Sequence, residues 1–446
     1  MGVKSFLNSN STLSFIGNLF VSVAGMINFM LIARLVSADE LGQYAIFLAA
    51  STFLEMIRLG LTHNGLIRFL ATDSELEGKQ LIGTSYLIGL SLAFVLAIIL
   101  TTVYNSVCNK ADCFGAYQLF LFWYPVFSII TFPVKNAITL FQADLKFGLI
   151  LVYRILNIVP LTFFLVWAIS FHHEVSIDSV MWLMVFSSGI LSLLSFILRR
   201  DGADKCKYTN KASFIKLFEF GKFNSLTLLG TNLLQSIDMF LIGLSPLGSV
   251  AVAIYSIPLK YMEVIQMPLR SLLATTYPLL AKVAEKKDWI AFKQVLYSRN
   301  GFLFIAFIPI CLVLILLAPW LIRIIAGNNF YEINGSLSAQ LLVLFAIMAL
   351  FMPFDKFSGT ALDALNRPQS NTKKVSIMLL INALVDVIAL WGFSSLNLMA
   401  VGSILYTLAG GIVGYYFLAD KFTFSPKELI KEGISSFNIL VSLVRF

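Results

Sequence analysis

Lys260, Glu263, Gln266 and Arg270 lie inside the stretch Val250–Leu280, which is otherwise apolar enough to sit in a bilayer. At about 100° per residue on an α-helix, these four and Ser256 fall within a wedge about 120° wide. One wall of the helix is therefore polar and the rest apolar. An ionisable side chain at bilayer depth costs about 2.5–3.5 kcal/mol on insertion scales, so it faces a polar cavity or a partner. Cations on such a wall can hold phosphate or carboxylate groups, and Glu263 is placed to tune them. Pro258, Pro268 and Pro278 recur every ten residues, which implies a bent helix. Bent and polar-walled, the stretch reads as part of a transport path.

A second stripe precedes it. Asn224, Thr227, Thr231, Gln235 and Asp238 share one helix face. A water-filled cavity or hydrogen bonds between helices account equally for the neutral members, whereas Asp238 favours the cavity. In the first half the candidates are Arg34, the Glu55/Arg58 pair at i,i+3, and Arg154. Each has a plainer alternative: Arg34 and Arg154 can snorkel to an interface, and Glu55 can neutralise Arg58. Arg323 reads as an interfacial anchor. Late in the chain Asp386 follows Asn382 by one turn, and Asp355-Lys356 follows Pro353. Either acid can take up a proton or cation, or form a buried pair with a neighbouring base. His172-His173-Glu174 lacks further ligands for a metal site, so neither metal nor cofactor is expected.

The elements that must position these groups follow from composition. Of 446 residues, 58% are apolar and 13% charged, which places the chain among polytopic membrane proteins. Long, non-alternating apolar runs exclude a β-barrel. Apolar segments near 11–36, 44–62, 81–104, 116–138, 149–170, 177–198, 218–244, 250–280, 300–326, 337–360, 375–394 and 398–419 predict twelve transmembrane helices. The first is an uncleaved anchor, because no small-residue cleavage site follows it. The apolar piece from Ile434 to Phe446 is too short to cross and is expected on the membrane surface.

Charge in the loops sets orientation. Lys4, Arg68, Lys79, Lys135, Lys146, the run Arg199 to Lys216, Lys282 to Arg299, Arg367, Lys373, Lys374 and the tail bases fall on one side, against Lys110 alone on the other. Both termini are therefore expected in the cytoplasm. The net charge of +8 is spent there and does not signal nucleic-acid binding. Cys108 and Cys113 share an outer loop, where a disulfide and two free thiols are both open.

The long basic interruption divides the chain into a lobe at 1–200 (spans one to six), a linker at 201–217, a second lobe at 218–419 (spans seven to twelve) and a tail at 420–446. Tyr44-Ala45-Ile46-Phe47-Leu48 is similar to Tyr255-Ser256-Ile257-Pro258-Leu259, and Asn157 to Asn382, which suits two parallel repeats. No phosphate-binding G-x-x-x-x-G-K-[ST], Gly-x-Ser-x-Gly or His-Glu-x-x-His occurs, and no loop has room for a catalytic domain. The chain is not expected to be an enzyme.

Several pieces resemble the Wzx-type polysaccharide (O-antigen) flippases of the multidrug/oligosaccharidyl-lipid/polysaccharide superfamily. They are Ala33-Arg34-Leu35-Val36-Ser37-Ala38-Asp39-Glu40-Leu41-Gly42-Gln43-Tyr44-Ala45, Gly65-Leu66-Ile67-Arg68-Phe69, Asp238-Met239-Phe240-Leu241-Ile242-Gly243 and Ala364-Leu365-Asn366-Arg367-Pro368. The resemblance implies two six-helix lobes around a central cleft of the bacterial inner membrane. It implies as cargo an oligosaccharide on a polyprenyl diphosphate, with other polysaccharide-assembly membrane proteins and membrane lipids as partners. On that reading Arg270, Lys260, Arg58, Arg34 and Arg154 hold the diphosphate. Glu263, Asp238, Gln235, Asn224, Glu55 and Asp386 line the cavity or couple transport to a proton or Na⁺; the membrane potential is the competing energy source. A cation-coupled multidrug exporter of the same fold and a membrane glycan polymerase or ligase are the alternatives.

Overall fold

A computed structural model describes residues 10–70, 74–108 and 115–444. The Cys108 side chain, Cys113, Lys4, Lys110, Arg445 and the Thr227 side chain lie outside what is described. All the described elements are helical, and twelve of the helices are long and apolar enough to cross a membrane. They are α1 (Asn10–Leu35), α2 (Ala38–Leu70), α3 (Glu75–Cys108), α4 (Gln118–Ala143), α5 (Phe147–Ser170), α6 (Ile177–Ile197), α7 (Lys211–Leu244), α8 (Gly248–Glu285), α9 (Trp289–Leu316), α10 (Ala318–Ala364), α11 (Pro368–Gly392) and α12 (Leu396–Leu418). They follow the twelve apolar segments of the sequence, except that the segment near 300–326 crosses the break at Leu317 from α9 into α10. Helix is forced here, because a bilayer offers no partner for an unpaired backbone N–H or C=O. Large apolar side chains such as Phe163, Trp182 and Phe223 point outward, as they must where the solvent is lipid.

The chain forms two compact units, one of Met1–Leu244 with Gly248–Ala253 and one of Ser245–Leu247 with Ile254–Phe446. By contacts the division falls after α7, one span later than the basic linker.

In the first unit the opening hairpin is fixed by capping. Ser37 is the N-cap of α2: its hydroxyl accepts from the Glu40 amide, and the Glu40 carboxylate accepts from the Ser37 amide in return. Such a capping box satisfies two otherwise orphaned donors. The second Glu40 oxygen takes the Ile177 amide at the start of α6, and Asp39 accepts from the Ser249 hydroxyl. Residues of the family-like stretch 33–45 are thus fasteners of the hairpin. The basic linker is packed rather than loose: the turn at Gly202 (φ +91°) leads into a 3₁₀ helix, Ala203–Tyr208, that lies against α3, and Asn136 of α4 donates to the Asp201 carbonyl at 2.6 Å. Burial there pushes the Asp201 carboxyl above its ordinary range.

In the second unit α10, α11 and α12 pack tightly. Glycines make this possible: a Cβ at Gly414 of α12 would overlap the Ser358 hydroxyl of α10, and one at Gly410 would press on the Asp355 carboxylate. Bare backbone there leaves room for side chains on the facing helix. Asn366, in the left-handed region at φ +57°, closes the turn between α10 and α11, and Arg367 reaches Asp420 with two bonds of 2.9 and 2.7 Å.

Residues Pro426–Val444 form α13, which lies along α9. Gly301 and Gly433 let the two backbones touch, Tyr297 accepts from the Ser425 amide at 2.9 Å, and Lys293 pairs with Glu428. The apolar tail piece read on its own hides this, because its partner is a glycine 132 positions earlier (433 against 301).

Candidate functional site

Charge in the first unit converges on α2 and α4. Glu55 and Arg58 are one turn apart on α2, as their spacing predicts, and the guanidinium grips one carboxylate oxygen through Nε and Nη2 at 2.5 Å. The other oxygen takes Lys135 Nζ of α4 at 3.1 Å. Arg58 is buried, with 9% of its side chain exposed, against 20% for Glu55 and 28% for Lys135. The third guanidinium nitrogen, Nη1, is buried with no hydrogen-bond partner. Beside it lies a cavity of about 20 Å³ lined by Tyr124, Ser128, Gly89 and Phe132 among others, enough for one water. One acid thus serves two bases, and the cluster carries a net positive charge.

Lys135, counted with the cytoplasmic-side charges, lies within α4, which runs on to Ala143. The signal was in the sequence: Ser128, Thr131, Lys135 and Thr139 fall within about 80° on a helix. Further along the same two helices His63 Nδ1 meets the Thr139 hydroxyl at 2.8 Å. Its position depends on a π turn, Leu59–His63, that interrupts α2.

Other candidates stand apart from this cluster in the first unit. Arg154, half-buried, donates to Asn18 of α1 at 2.8 Å, and Arg34 is exposed in the last turn of α1. Of the α7 stripe, Asn224 donates to the Gly60 carbonyl of α2 at 3.3 Å, joined by Ser225 to Ile57 O at 3.2 Å. For Asn224 the helix–helix bond is the realised alternative. Gln235 is exposed and Asp238 buried.

In the second unit α8 runs unbroken through Pro258, Pro268 and Pro278. Lys260 pairs with Glu263 at 2.6 Å, and Arg270, exposed, donates to Gln266 at 3.0 Å. The polar wall therefore exists as two neighbouring pairs. The helix is seated by Tyr255 edge-on to Phe345, and by Tyr261 donating to the Leu321 carbonyl at 2.7 Å.

Asp355 makes a buried pair with Lys374 at 2.8 Å, and its other oxygen meets Lys356 at 2.9 Å. Lys374, counted among the loop charges, lies within α11, which starts at Pro368. Asn382 and Asp386, one turn apart on α11, are fully buried, Asp386 close to Gly402 of α12. Among the described residues no three His, Cys, Asp or Glu side chains are grouped to hold a metal ion.

Twelve spanning helices with acids and bases buried among them define a polytopic α-helical membrane protein. The profile described as "Polysaccharide biosynthesis protein" matches residues 7–284, and that described as MatE matches residues 225–391. The first spans more than half the sequence, and the chain belongs to the polysaccharide biosynthesis protein family. No curated protein matches it.

Solved structures show the same fold. One titled lipid II flippase MurJ, inward closed conformation, is 14% identical with a TM-score of 0.73, covering 97% of this chain and 93% of its own. An inward-facing multidrug resistance MATE family transporter of the MOP superfamily is 13% identical with a TM-score of 0.73, covering 90% and 95%. A MOP superfamily transporter from Pyrococcus furiosus, described as having a binding pocket of reverse polarity, is 13% identical with a TM-score of 0.59, covering 91% and 93%. The fold is that of the multidrug/oligosaccharidyl-lipid/polysaccharide superfamily.

Proposed function

We propose that this protein is a flippase. It carries a polyprenyl-diphosphate-linked oligosaccharide, an O-antigen or similar repeat unit, from the cytoplasmic to the outer leaflet of a bacterial inner membrane by alternating access. Both termini are then cytoplasmic. The observation that carries the reading is the surplus of cation in the α2–α4 cluster, two bases on the single carboxylate of Glu55. Low-dielectric surroundings make such a surplus costly unless an anionic cargo uses it. Family membership supplies the polysaccharide context.

On this reading Arg58 and Lys135 receive phosphate in the first half. Lys260 and Arg270 do so along α8, with Glu263 as tuning partner, and Arg34 and Arg154 guide at the ends of the path. The exposed Gln235 side chain suits sugar hydroxyls. An inside-negative potential assists an anion moving outward by about 2.3 kcal/mol per charge per 100 mV. Coupling to a proton or Na⁺ through Asp238 or Asp386 is the competing drive. The match of residues 225–391 to MatE favours a second reading, a cation-coupled multidrug exporter. Cationic drugs call for net acid in the wall, which the α2–α4 cluster lacks.

Deleting the gene and analysing lipid-linked glycans tests the proposal. Accumulation of a single lipid-linked repeat unit facing the cytoplasm, with loss of surface glycan, is expected. Unchanged glycans together with new drug sensitivity would instead establish the exporter.

A further inference from the structure

Both oxygens of Glu55 are taken by cations from two different helices, Arg58 through two nitrogens and Lys135 through one. That is the pattern a phosphate oxygen pair would make. Buried cations cannot be left bare in the absence of a ligand, because removing the partner of a buried ion leaves an uncompensated charge. They cannot be paired irreversibly either, or no ligand could enter. The remaining buried Arg58 donor, Nη1, has no hydrogen-bond partner, and Arg58 lines the water-sized cavity with Tyr124 and Ser128. It is a third point of attachment that the short Glu55 carboxylate does not fill.

We propose that Lys135, Arg58 and Glu55 form a phosphate-binding subsite in which Glu55 is a built-in stand-in for the ligand. This rests on the flippase reading and deepens it. When the site is empty, the carboxylate neutralises one of the two cations and orients both. An arriving phosphate group takes Arg58 and Lys135, uses the orphaned Nη1 donor as well, and displaces Glu55 toward its exposed edge. The returning carboxylate competes with the bound phosphate, which lowers the barrier to release. A site with two bare cations would bind an anion tightly and let it go slowly.

The experiment uses the full chain in nanodiscs, with farnesyl diphosphate as probe and binding measured by calorimetry. Removing the competitor should strengthen binding, so Glu55→Gln is expected to bind about tenfold tighter than wild type. Arg58→Gln should weaken binding by about tenfold or more, and Glu55→Gln with Arg58→Gln should lose the gain. Should Glu55→Gln fail to fold, Glu55→Asp, one methylene shorter, reads the same competition and is expected to bind tighter than wild type. Wild-type binding that Glu55 variants leave unchanged or weaken overturns the inference alone, showing Glu55 to be a structural support. No binding by wild type or any variant overturns both the inference and the diphosphate reading beneath it.

Discussion

Asp355 and Lys374 form an ion pair of 2.8 Å while each side chain is only 3% exposed, and Lys374 Nζ also donates to the Asp355 carbonyl at 2.7 Å. Space for the pair comes from α12, where Gly410 and Gly414 present bare backbone to it. The pair is therefore enclosed by three helices of one unit. Losing one partner of such a pair costs about 3–5 kcal/mol, whereas replacing both by apolar side chains is often neutral. Lys374→Met should lower the thermal midpoint in detergent markedly. Asp355→Leu combined with Lys374→Met should recover most of the loss, and a double variant as unstable as the single would contradict this account.

Arg270 is exposed on α8 and tethered only lightly, to a neutral Gln266. Arg270→Ala should therefore leave the protein inserted at wild-type abundance while surface glycan disappears. Normal surface glycan in that variant would remove α8 from the proposed path.

The contact of α13 with α9 depends on two glycines meeting. Gly301→Val should push the helices apart and free the tail. Limited proteolysis should then cut within residues 420–435 several times faster than in wild type, because cleavage follows the population of the open form. An unchanged digestion pattern would show that Tyr297 and Lys293 suffice to hold the tail.

Outside the spans, Arg367 holds the Asp420 carboxyl below its ordinary range, first through the paired hydrogen bonds. A depressed folded-state value means that the bridge stabilises above the unfolded pKa of about 4 and that this is lost as pH falls through the lower folded value. Asp420 is largely open to solvent, so the effect is under about 1 kcal/mol. Wild type should exceed Asp420→Asn slightly in thermal midpoint at pH 7, and the difference should shrink progressively as the pH is lowered below about 4. A difference that persists in acid would point to packing rather than charge.

Much of this was legible from residue types and periodicity. The twelve spans, the Glu55–Arg58 pair and the Lys260–Arg270 wall follow from hydropathy and the 3.6-residue period, which depend only on neighbours in sequence. Lys135 and Lys374 mark what periodicity leaves open, since the acids they pair with, Glu55 and Asp355, are on other helices. The fastening roles of Asp39, Glu40 and Arg367 were hidden likewise, since Ser249, Ile177 and Asp420 are remote in sequence. Asn224 shows the converse: its face was identified, but the choice between cavity and helix contact rested on Gly60.

The π turn at Leu59–His63 adds one residue to a coil of α2 without adding a full step of rise. A helical wheel drawn from Glu55 therefore slips by about 100° once it passes Leu59. Straight α-helical spacing would put His63 about 80° from Glu55 and 140° from Arg58, and the slip brings it round between them. The same slip recurs at Tyr331–Gly335 in α10 and Ile388–Gly392 in α11. Any attempt to graft a binding face from one half of these helices onto the other must count that extra residue, or it will turn the grafted groups toward lipid.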